Sequence, residues 1–490
     1  MSDGAVCLWL FALAALARIL FLSGTMDRQL PFSVFYYGDS RLYREFALAV
    51  MRGESFDNGI PFHPPLLAYV LAGIIGFVGQ SPWAMRAVLA VAGASVAPLT
   101  YLLGRRLWGR GVALTGAVLS TFSFGLLVAA VSANTDAIYI PILVAQALVL
   151  VDLADAMAAG EARRRAVIVL AVGSGVLLGL GSLTRAEHLL LALAVPAALA
   201  LGRPVPGLRR IATISGVVFS AAAVIIAPWT IHNWVSIGGF NRANPDLAEP
   251  LPRFVLISNY GAVNFALANS EGSDGTFKPD LLIGKAADKL DFREPRQLAL
   301  YLHGYREGLK YLASHPGGAA ALVARKLGVS LEAGALGFGL SNWPGGLSGR
   351  RRPVDMFAPD SPLLLPFSAI LTGFGLWVSR SRWRRGSPIV LAGIHKAIIC
   401  AAFFGYVRLF VHLSPFVFLL QAGALAALVD LTGPRWRKIA AACGIALAML
   451  LMVELGTGAV SPRNFTASGS SDPSNGKLIQ DAEIRLAPAP

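Results

Sequence analysis

The residues with the clearest capacity for chemistry follow the first apolar segment of the chain. They read Tyr36-Tyr37-Gly38-Asp39-Ser40-Arg41-Leu42-Tyr43-Arg44-Glu45-Phe46, and then Pro61-Phe62-His63-Pro64-Pro65-Leu66. A carboxylate at Asp39 could accept a proton from a hydroxyl group. The prolines after His63 favour an extended backbone and hold that side chain in a defined place, where it could bind an anion. We expect this loop to hold something at the membrane surface.

Structural roles are the alternatives for both residues. Leu42 and Phe46 follow Asp39 at helical spacing, which predicts an amphipathic helix beginning at Ser40 or Arg41. Asp39 could therefore be no more than its N-cap. A lone histidine such as His63 is as often structural as functional.

More charged residues lie where apolar runs meet. Asp136 could cap a helix, orient an acceptor or bind a metal ion. Arg185 and Glu187 could form a purely structural pair, yet charges between two apolar runs are costly unless they are paired or face a cavity. Arg408 lies ahead of His412, and an arginine near a bilayer is a reasonable partner for a lipid phosphate.

Composition places these residues in a membrane protein. The mean hydropathy is +0.61, and 55% of the residues are hydrophobic whereas 14% are charged. Many runs reach the roughly 20 residues that cross a bilayer as a helix. The net charge of +14 comes with short basic clusters between apolar runs. That pattern marks cytoplasmic loops and argues against nucleic-acid binding.

The fold class that follows is all-α, a polytopic membrane protein of about 11 to 13 transmembrane helices with interfacial helices in its outer loops. The predicted spans are 5–22, 83–103, 111–131, 137–157, 166–182, 186–202, 211–232, 361–379, 388–406, 409–429 and 438–456. Two more apolar stretches, 64–79 and 316–340, are ambiguous. If 64–79 lies in the interface, Asp39 and Asp136 share one face, opposite the basic clusters, and we expect that face to be extracytoplasmic.

The predicted organisation is one membrane domain, residues 1–456. Its first outer loop is 24–82 and its long outer loop is 236–360. The long loop is rich in asparagine, and leucines at helical spacing near 298–312 predict a surface helix. The tail, 457–490, is rich in Ser, Pro and Gly and is expected to be poorly ordered outside the membrane.

Taken in order, these pieces resemble the GT-C glycosyltransferases. The most similar groups are the dolichyl-phosphate-mannose protein mannosyltransferases and the bacterial aminoarabinose transferase-like enzymes. The resemblance covers almost the whole chain. Its stretches are Gly38-Asp39-Ser40 through Gly53, His63-Pro64-Pro65-Leu66, Asn134-Thr135-Asp136, Leu183-Thr184-Arg185, Pro228-Trp229 through Asn233, the His315-Pro316 to Lys326 region, and Arg408 through Pro415.

The resemblance implies roles for individual residues. Asp39 matches the acid regarded as the catalytic base, and Asp136 matches a second acid of the site. His63 matches a basic position where phosphate contact is inferred, and Arg408 matches a late arginine thought to meet the lipid phosphate. The family uses polyprenyl-phosphate sugars and transfers them on the extracytoplasmic side. This sequence departs from the pattern at Ser40, where a second acid often stands.

The sequence thus predicts an enzyme integral to the cell membrane. It would move a sugar, with inversion, from a polyprenyl-phosphate donor to a hydroxyl group of a lipid, glycan or protein. His63, Arg185 and Arg408 would stabilise the departing phosphate. A divalent metal is left open. The candidate substrate contacts are Arg41, Glu45, Glu187, His232 (where arginine is usual in the family), Asn233 and Tyr260.

Two other functions remain as alternatives. A secondary transporter or lipid flippase would place polar groups near the bilayer midplane and often shows internal repeats. Here the polar groups concentrate in outer loops and at the ends of spans, and no repeat is evident. An inactive relative that only binds partners is the third alternative.

Overall fold

The computed structural model describes residues 1–25, 39–202, 205–276, 290–336 and 364–432. The predicted span 438–456 and the tail 457–490 lie outside these ranges. The α-helices of the described ranges are, in chain order, α1 (Asp3–Thr25), α2 (Asp39–Met51), α3 (Leu66–Val78), α4 (Pro82–Gly93), α5 (Val96–Leu107), α6 (Arg110–Phe122), α7 (Phe124–Val131), α8 (Asp136–Ala158), α9 (Arg164–Thr184), α10 (Ala194–Leu201), α11 (Leu208–Ala243), α12 (Tyr260–Ala268), α13 (Pro295–Ser314), α14 (Pro316–Leu331), α15 (Leu364–Val378), α16 (Ser387–Ala402), α17 (Val407–Val411) and α18 (Ser414–Thr432).

Five segments are long and apolar enough to cross a membrane, by length and composition. They are Asp3–Ser23, Pro82–Leu107, Asp136–Ala158, Arg164–Thr184 and Leu208–Ala243. The all-α membrane class predicted from the sequence is therefore confirmed. The total number of spans stays a prediction, because several other apolar helices are shorter than a bilayer crossing requires.

Several predicted spans are not single helices. The segment predicted at 83–103 consists of α4 and α5, which meet at Ser95, and Pro98 lies in the first turn of α5. A proline is tolerated there because the first turn of a helix has no partner for its N–H. The span predicted at 111–131 is divided at Ser123, whose extended backbone separates α6 from α7. A 3₁₀ helix, Ala186–Leu193, precedes α10.

Both predicted amphipathic helices are present. Helix α2 buries Tyr43, Phe46 and Ala47 in a cluster with residues of α3. Helix α13 begins after Glu294, whose carboxylate accepts the N–H groups of two residues of the first turn. Its Gly304 lies so close to α12 that an added Cβ would overlap a backbone oxygen there. These contacts fix α2 on α3 and α13 on α12.

The lengths of α3 and α11 differ from the length of a helix that just crosses the bilayer. Helix α3 has 13 residues, which at 1.5 Å per residue makes about 20 Å, against about 30 Å of hydrocarbon. Helix α11 has 36 residues and is about 54 Å long. It continues past residue 232, where the sequence predicted the span to end, so the first part of the long loop is helical.

The chain path brings several helix ends together. Helices α8 and α9 are consecutive neighbours that pack along their lengths and are joined by a short 3₁₀ turn. The start of α8, at Asp136, therefore lies beside the end of α9, which Arg185 follows. The starts of α2 and α17 reach the same place, since their side chains contact those of α8 or each other. This meeting of helix ends forms the candidate site.

Candidate active site

Arg408 of α17 is the centre of a charged network. Its Nη1 donates to Asp39 Oδ2 at 3.0 Å, its Nε donates to Asp136, and its Nη2 donates to Asn134. One planar guanidinium thus bridges the start of α2 to the start of α8. Asp39 and Asp136, which the sequence predicts to share one face, are therefore brought together with Arg408.

The two carboxylates have different surroundings. The side chain of Asp136 is only 5% exposed, whereas that of Asp39 is 49% exposed. Asp136 Oδ1 accepts from Arg185 Nη1 at 3.2 Å and from His412 Nε2 at 2.7 Å. Asp136 is therefore surrounded by donors, while Asp39 remains open to a molecule that approaches from outside.

The cap interpretation of Asp136 is not what the structure shows. Thr135 is the N-cap of α8, and Asp136 is the first helical residue. The carboxylate of Asp136 is used by side chains of α17, of the turn after α9, and of the residue after α17. Because an unpaired buried carboxylate is very costly, these three partners explain how Asp136 is tolerated inside the protein.

Arg185 extends the network into the membrane helices. Its Nε donates to Glu187 Oε1 at 2.6 Å, so the expected Arg185–Glu187 pair is present, and it is joined to Asp136 as well. Glu187 Oε1 also accepts from the fully buried Lys396 of α16 at 3.4 Å. The guanidinium of Arg185 and the ammonium of Lys396 both lie over the ring of Tyr139.

Among the described residues, the connected network contains three carboxylates and three basic side chains: Asp39, Asp136 and Glu187, with Arg408, Arg185 and Lys396. It has no excess positive charge for an anion. A phosphate entering it must compete with a carboxylate for a guanidinium, or must meet a cation from outside the network.

His63 lies in the same region as Asp39, on the loop before α3. Its Nδ1 is 3.0 Å from the carboxylate of Asp57, and its ring is parallel to that of Tyr260 within 15°. Burial lowers the pKa of His63, but the Asp57 and Asp39 carboxylates together raise it by more. The pKa of His63 therefore lies above its ordinary value, and the imidazolium form is favoured.

Arg408 also acts on the ionisation of Asp39. Burial raises the pKa of the Asp39 carboxyl, but the charge and hydrogen bond of Arg408, together with the nearby His63 and Arg185, lower it by more in total. Its pKa therefore lies below the ordinary value, and Asp39 is a carboxylate at neutral pH. It can accept a proton, but it is a weak base for as long as Arg408 stays paired with it.

Several predicted substrate contacts lie beside this network rather than in it. His232 stacks on Trp229 with ring centroids 4.6 Å apart. Asn233 is buried and its Nδ2 donates to the backbone oxygens of Val255 and Ile257. Both residues line a cavity of about 240 Å³ with Glu54, Phe56 and Tyr69. Glu45 is exposed on α2, and the side chain of Arg41 lies outside the described part of the structure.

The two tryptophans of α11 have different environments. Trp229 is buried and its Nε1 donates to the backbone oxygen of Ile257 at 2.7 Å. It is therefore a core residue rather than the interfacial anchor that a tryptophan at the end of a span suggests. Trp234 is exposed, and the guanidinium of Arg253 lies over its ring.

Four residues of the region were not singled out as site residues from the sequence. Asn134 and His412 contact the network directly, Lys396 completes it, and Asp57 holds His63. Lys396 could have been found from the sequence, because an ionisable residue inside an apolar span is usually functional or paired. Asp57 had none, since an acid in a polar loop is ordinary.

The arrangement does not fit a divalent ion between Asp39 and Asp136. The guanidinium of Arg408 takes that position, and both oxygens of Asp136 already accept hydrogen bonds. Elsewhere in the described ranges, no group of three or more His, Cys, Asp and Glu side chains could hold a metal ion. The cation between these two acids is thus a side chain of the protein itself.

Comparison with known proteins shows what the chain is similar to. The family model of dolichyl-phosphate-mannose-protein mannosyltransferases matches residues 62–232, a range that includes His63, Asp136 and Arg185. No curated protein sequence matches the chain.

The fold is similar to that of the oligosaccharyltransferase AglB from Archaeoglobus fulgidus, solved with an inhibitory peptide and a dolichol-phosphate. The match covers 98% of this chain and 60% of that one, with 16% identity and a TM-score of 0.51. The match to the apo form of the Archaeoglobus fulgidus oligosaccharyltransferase covers 99% of this chain and 60% of that one, with 14% identity and a TM-score of 0.52. The match to ArnT from Cupriavidus metallidurans, bound to undecaprenyl phosphate, covers 87% of this chain and 78% of that one, with 16% identity and a TM-score of 0.38.

The chain spans about three fifths of the length of AglB, so that likeness shows the fold and not the whole activity. The family match and the AglB fold together confirm the resemblance that the sequence indicates. The chain has a GT-C-type membrane fold.

Proposed function

We propose that this protein is an integral-membrane glycosyltransferase. It transfers a sugar from a polyprenyl-phosphate donor to a hydroxyl group of a lipid, glycan or protein, with inversion, on the extracytoplasmic face. The observation that carries the proposal is the Asp39–Arg408–Asp136 bridge. In this bridge the accessible carboxylate of Asp39 lies beside the guanidinium of Arg408, which the buried Asp136 also contacts, in a chain with a GT-C-type fold.

Asp39 is the proposed catalytic base. The oxygen of the acceptor attacks the anomeric carbon from the face opposite the phosphate, and its proton passes to the Asp39 carboxylate. The bond from the anomeric carbon to the phosphate oxygen breaks, and the electron pair leaves with the phosphate. Asp39 suits this role because its side chain is half exposed, whereas Asp136 is enclosed by donors.

Arg408, Arg185 and His63 are the proposed partners of the donor phosphate. Because the network has no excess positive charge, a phosphate that reaches Arg408 must compete with Asp39 for it. Any weakening of that pair lets the pKa of Asp39 return toward its ordinary value. Donor binding would then produce a stronger base where the proton must be accepted.

Asp136 and Glu187 are proposed to position the arginines rather than to exchange protons. Asp136 orients both Arg408 and Arg185, and Glu187 holds Arg185 from the other side. Preorganised cations stabilise developing negative charge without reorganisation during the reaction. Arg41, Glu45, His232, Asn233 and Tyr260 remain the proposed contacts to the sugar or acceptor.

Transfer itself is tested with purified protein in proteoliposomes that contain polyprenyl-phosphate sugars, together with mass spectrometry of envelope glycans and glycolipids from a deletion strain. We expect one glycan or glycolipid to lose a single sugar in that strain. Movement of a labelled lipid across the bilayer without any transfer would instead support the flippase alternative.

The proposed face is tested by cysteine labelling on α13. Arg306, whose side chain is 72% exposed, would be changed to Cys in a background without Cys7, Cys400 and Cys443. A membrane-impermeant maleimide should label Arg306→Cys in right-side-out vesicles. Labelling only in inverted vesicles would place α13 in the cytoplasm and contradict the proposed topology.

A further inference from the structure

Asp57 has an unusual backbone. Its φ is +52°, and no other non-glycine residue of the described ranges has a positive φ. This region is disfavoured for residues with a side chain, although Asp and Asn tolerate it better than most. Such a conformation persists when surrounding contacts require it, so the contacts of Asp57 are informative.

The carboxylate of Asp57 is directed at His63. Oδ2 accepts the backbone N–H of His63 at 2.8 Å, and the ring Nδ1 lies 3.0 Å from both Oδ1 and Oδ2. The Asp57 side chain is only 8% exposed, whereas that of His63 is 22% exposed. The carboxylate is thus enclosed, and the imidazole retains an open side.

The ring of His63 is also fixed by its neighbours. Tyr43 of α2 meets it edge to face, and Tyr260 of α12 lies parallel to it. Pro64 and Pro65 follow it in the chain and restrict the backbone. With Nδ1 taken by Asp57, Nε2 is the nitrogen that remains for a ligand.

We propose that Asp57 is a positioning residue for the donor: it holds His63 so that the Nε2–H of a charged imidazole donates to the donor phosphate. This inference rests on the proposed function, because it assumes a lipid-linked phosphate as ligand. It supplies what the Arg408 network lacks, a cation that the phosphate meets without displacing Asp39 or Asp136.

The ionisation of His63 agrees with this role. The titratable groups facing it are Asp57 on the loop, Asp39 and Tyr43 on α2, and Tyr260 on α12. The two carboxylates raise its pKa above the ordinary 6.5, against the effect of burial. Without the Asp57 charge, burial favours the neutral ring.

A structural role is the competing explanation. Asp57 also closes the loop through its backbone, since its oxygen accepts the N–H of Ile60. Asp57→Asn separates the two explanations. The amide oxygen of the variant can still accept the backbone N–H of His63, while its NH₂ group favours a neutral ring with Nδ1 as acceptor.

The test measures binding of undecaprenyl phosphate to purified protein in detergent from pH 5 to pH 8. For Asp57→Asn we expect the Kd at pH 7 to rise about tenfold, because a charge-assisted hydrogen bond becomes a neutral one. The two Kd values should approach each other as the pH falls toward 5, because acid favours the protonated ring in both proteins. Equal Kd values at every pH would overturn the proposal.

His63→Lys is the matched control. The lysine keeps its charge across this pH range without help from a carboxylate, and it reports the titration of the lipid phosphate itself. Asp57→Asn should therefore change the Kd less than about twofold in the His63→Lys background, because no imidazole remains to be charged. A similar loss in both backgrounds, or a loss that does not depend on pH, would show that Asp57 only closes the loop.

His63→Gln keeps the test decisive if Asp57→Asn fails to fold. This variant leaves Asp57 in place and should bind undecaprenyl phosphate about tenfold more weakly at pH 5, with no pH dependence beyond that of the phosphate. Unchanged binding at pH 5 would refute the proposal. Failure of the proposed function is seen separately, as phosphate binding by a wild-type protein that transfers no sugar.

Discussion

Asp39→Asn should mainly lower the rate of transfer and Asp136→Asn should mainly lower stability, although both residues contact the same guanidinium. The amide introduced by Asp39→Asn retains the shape of the side chain and can accept a hydrogen bond from Arg408, but it does not take up a proton. Loss of a general base costs about 100- to 10,000-fold in rate, or about 3 to 5 kcal/mol in the barrier. We expect Asp39→Asn to lower kcat by that factor.

The structure gives different stability costs for the two variants. Asp39 and Arg408 are 49% and 38% exposed, and such a pair contributes at most about 1 kcal/mol. Asp136 is 5% exposed and has Arg408, Arg185 and His412 as partners. Its neutralisation removes the one carboxylate that these three side chains share, and breaking a buried charge pair typically costs about 3 to 5 kcal/mol. The Tm of Asp39→Asn should stay near that of the wild type, while that of Asp136→Asn should fall.

The assay is single-sugar transfer in proteoliposomes at saturating donor, with thermal unfolding followed in detergent. A folded Asp39→Asn protein with near-normal turnover would refute the assignment of the base. An Asp39→Asn protein that loses as much stability as Asp136→Asn would refute the argument from exposure, because the two carboxylates would then have equivalent structural roles.

Three more outcomes follow from the packing. Lys396→Met should lower the Tm, because Glu187 loses a buried partner at 3.4 Å, and the double variant with Glu187→Gln should recover stability if the charge is the cause. Arg185→Lys should reduce transfer at least about tenfold with folding retained, since one ammonium cannot bridge two carboxylates as a guanidinium does; unchanged transfer would contradict its role. Gly304→Ala should destabilise the protein by about 1 to 3 kcal/mol, as its Cβ would overlap the backbone oxygen of Ala262, and an unchanged Tm would mean that α12 and α13 separate freely.

Much of the membrane class could be predicted from the chain because hydropathy is a local property. Apolar runs of sufficient length predicted α1, α8, α9 and α11, and helical spacing of apolar residues predicted α2 and α13. The helix breaks within the predicted spans were harder to predict from the sequence. Ser123 carries no helix-breaking signal of its own, so the division between α6 and α7 depends on tertiary packing.

The prediction that Asp39 and Asp136 share one face also came from the sequence, because the number of spans between two loops decides whether they lie on the same side. The number of spans does not give the distances between side chains on that side. It did not reveal that one guanidinium joins the two acids, or that Lys396 balances Glu187 from a distant helix. Asp57 and His63 likewise meet through a left-handed turn that residue types alone do not specify.

The sequence by itself determined that this is a helical membrane protein with its acids and bases at helix ends, since polar groups are costly in lipid wherever the chain goes. Only the tertiary structure decided which of those groups is enclosed and which is open. The chemistry of a carboxylate depends on the charges within a few ångströms, and here they come from segments as far apart as Asp39 and Arg408. That is why Asp136 became a buried anchor and Asp39 the accessible acid.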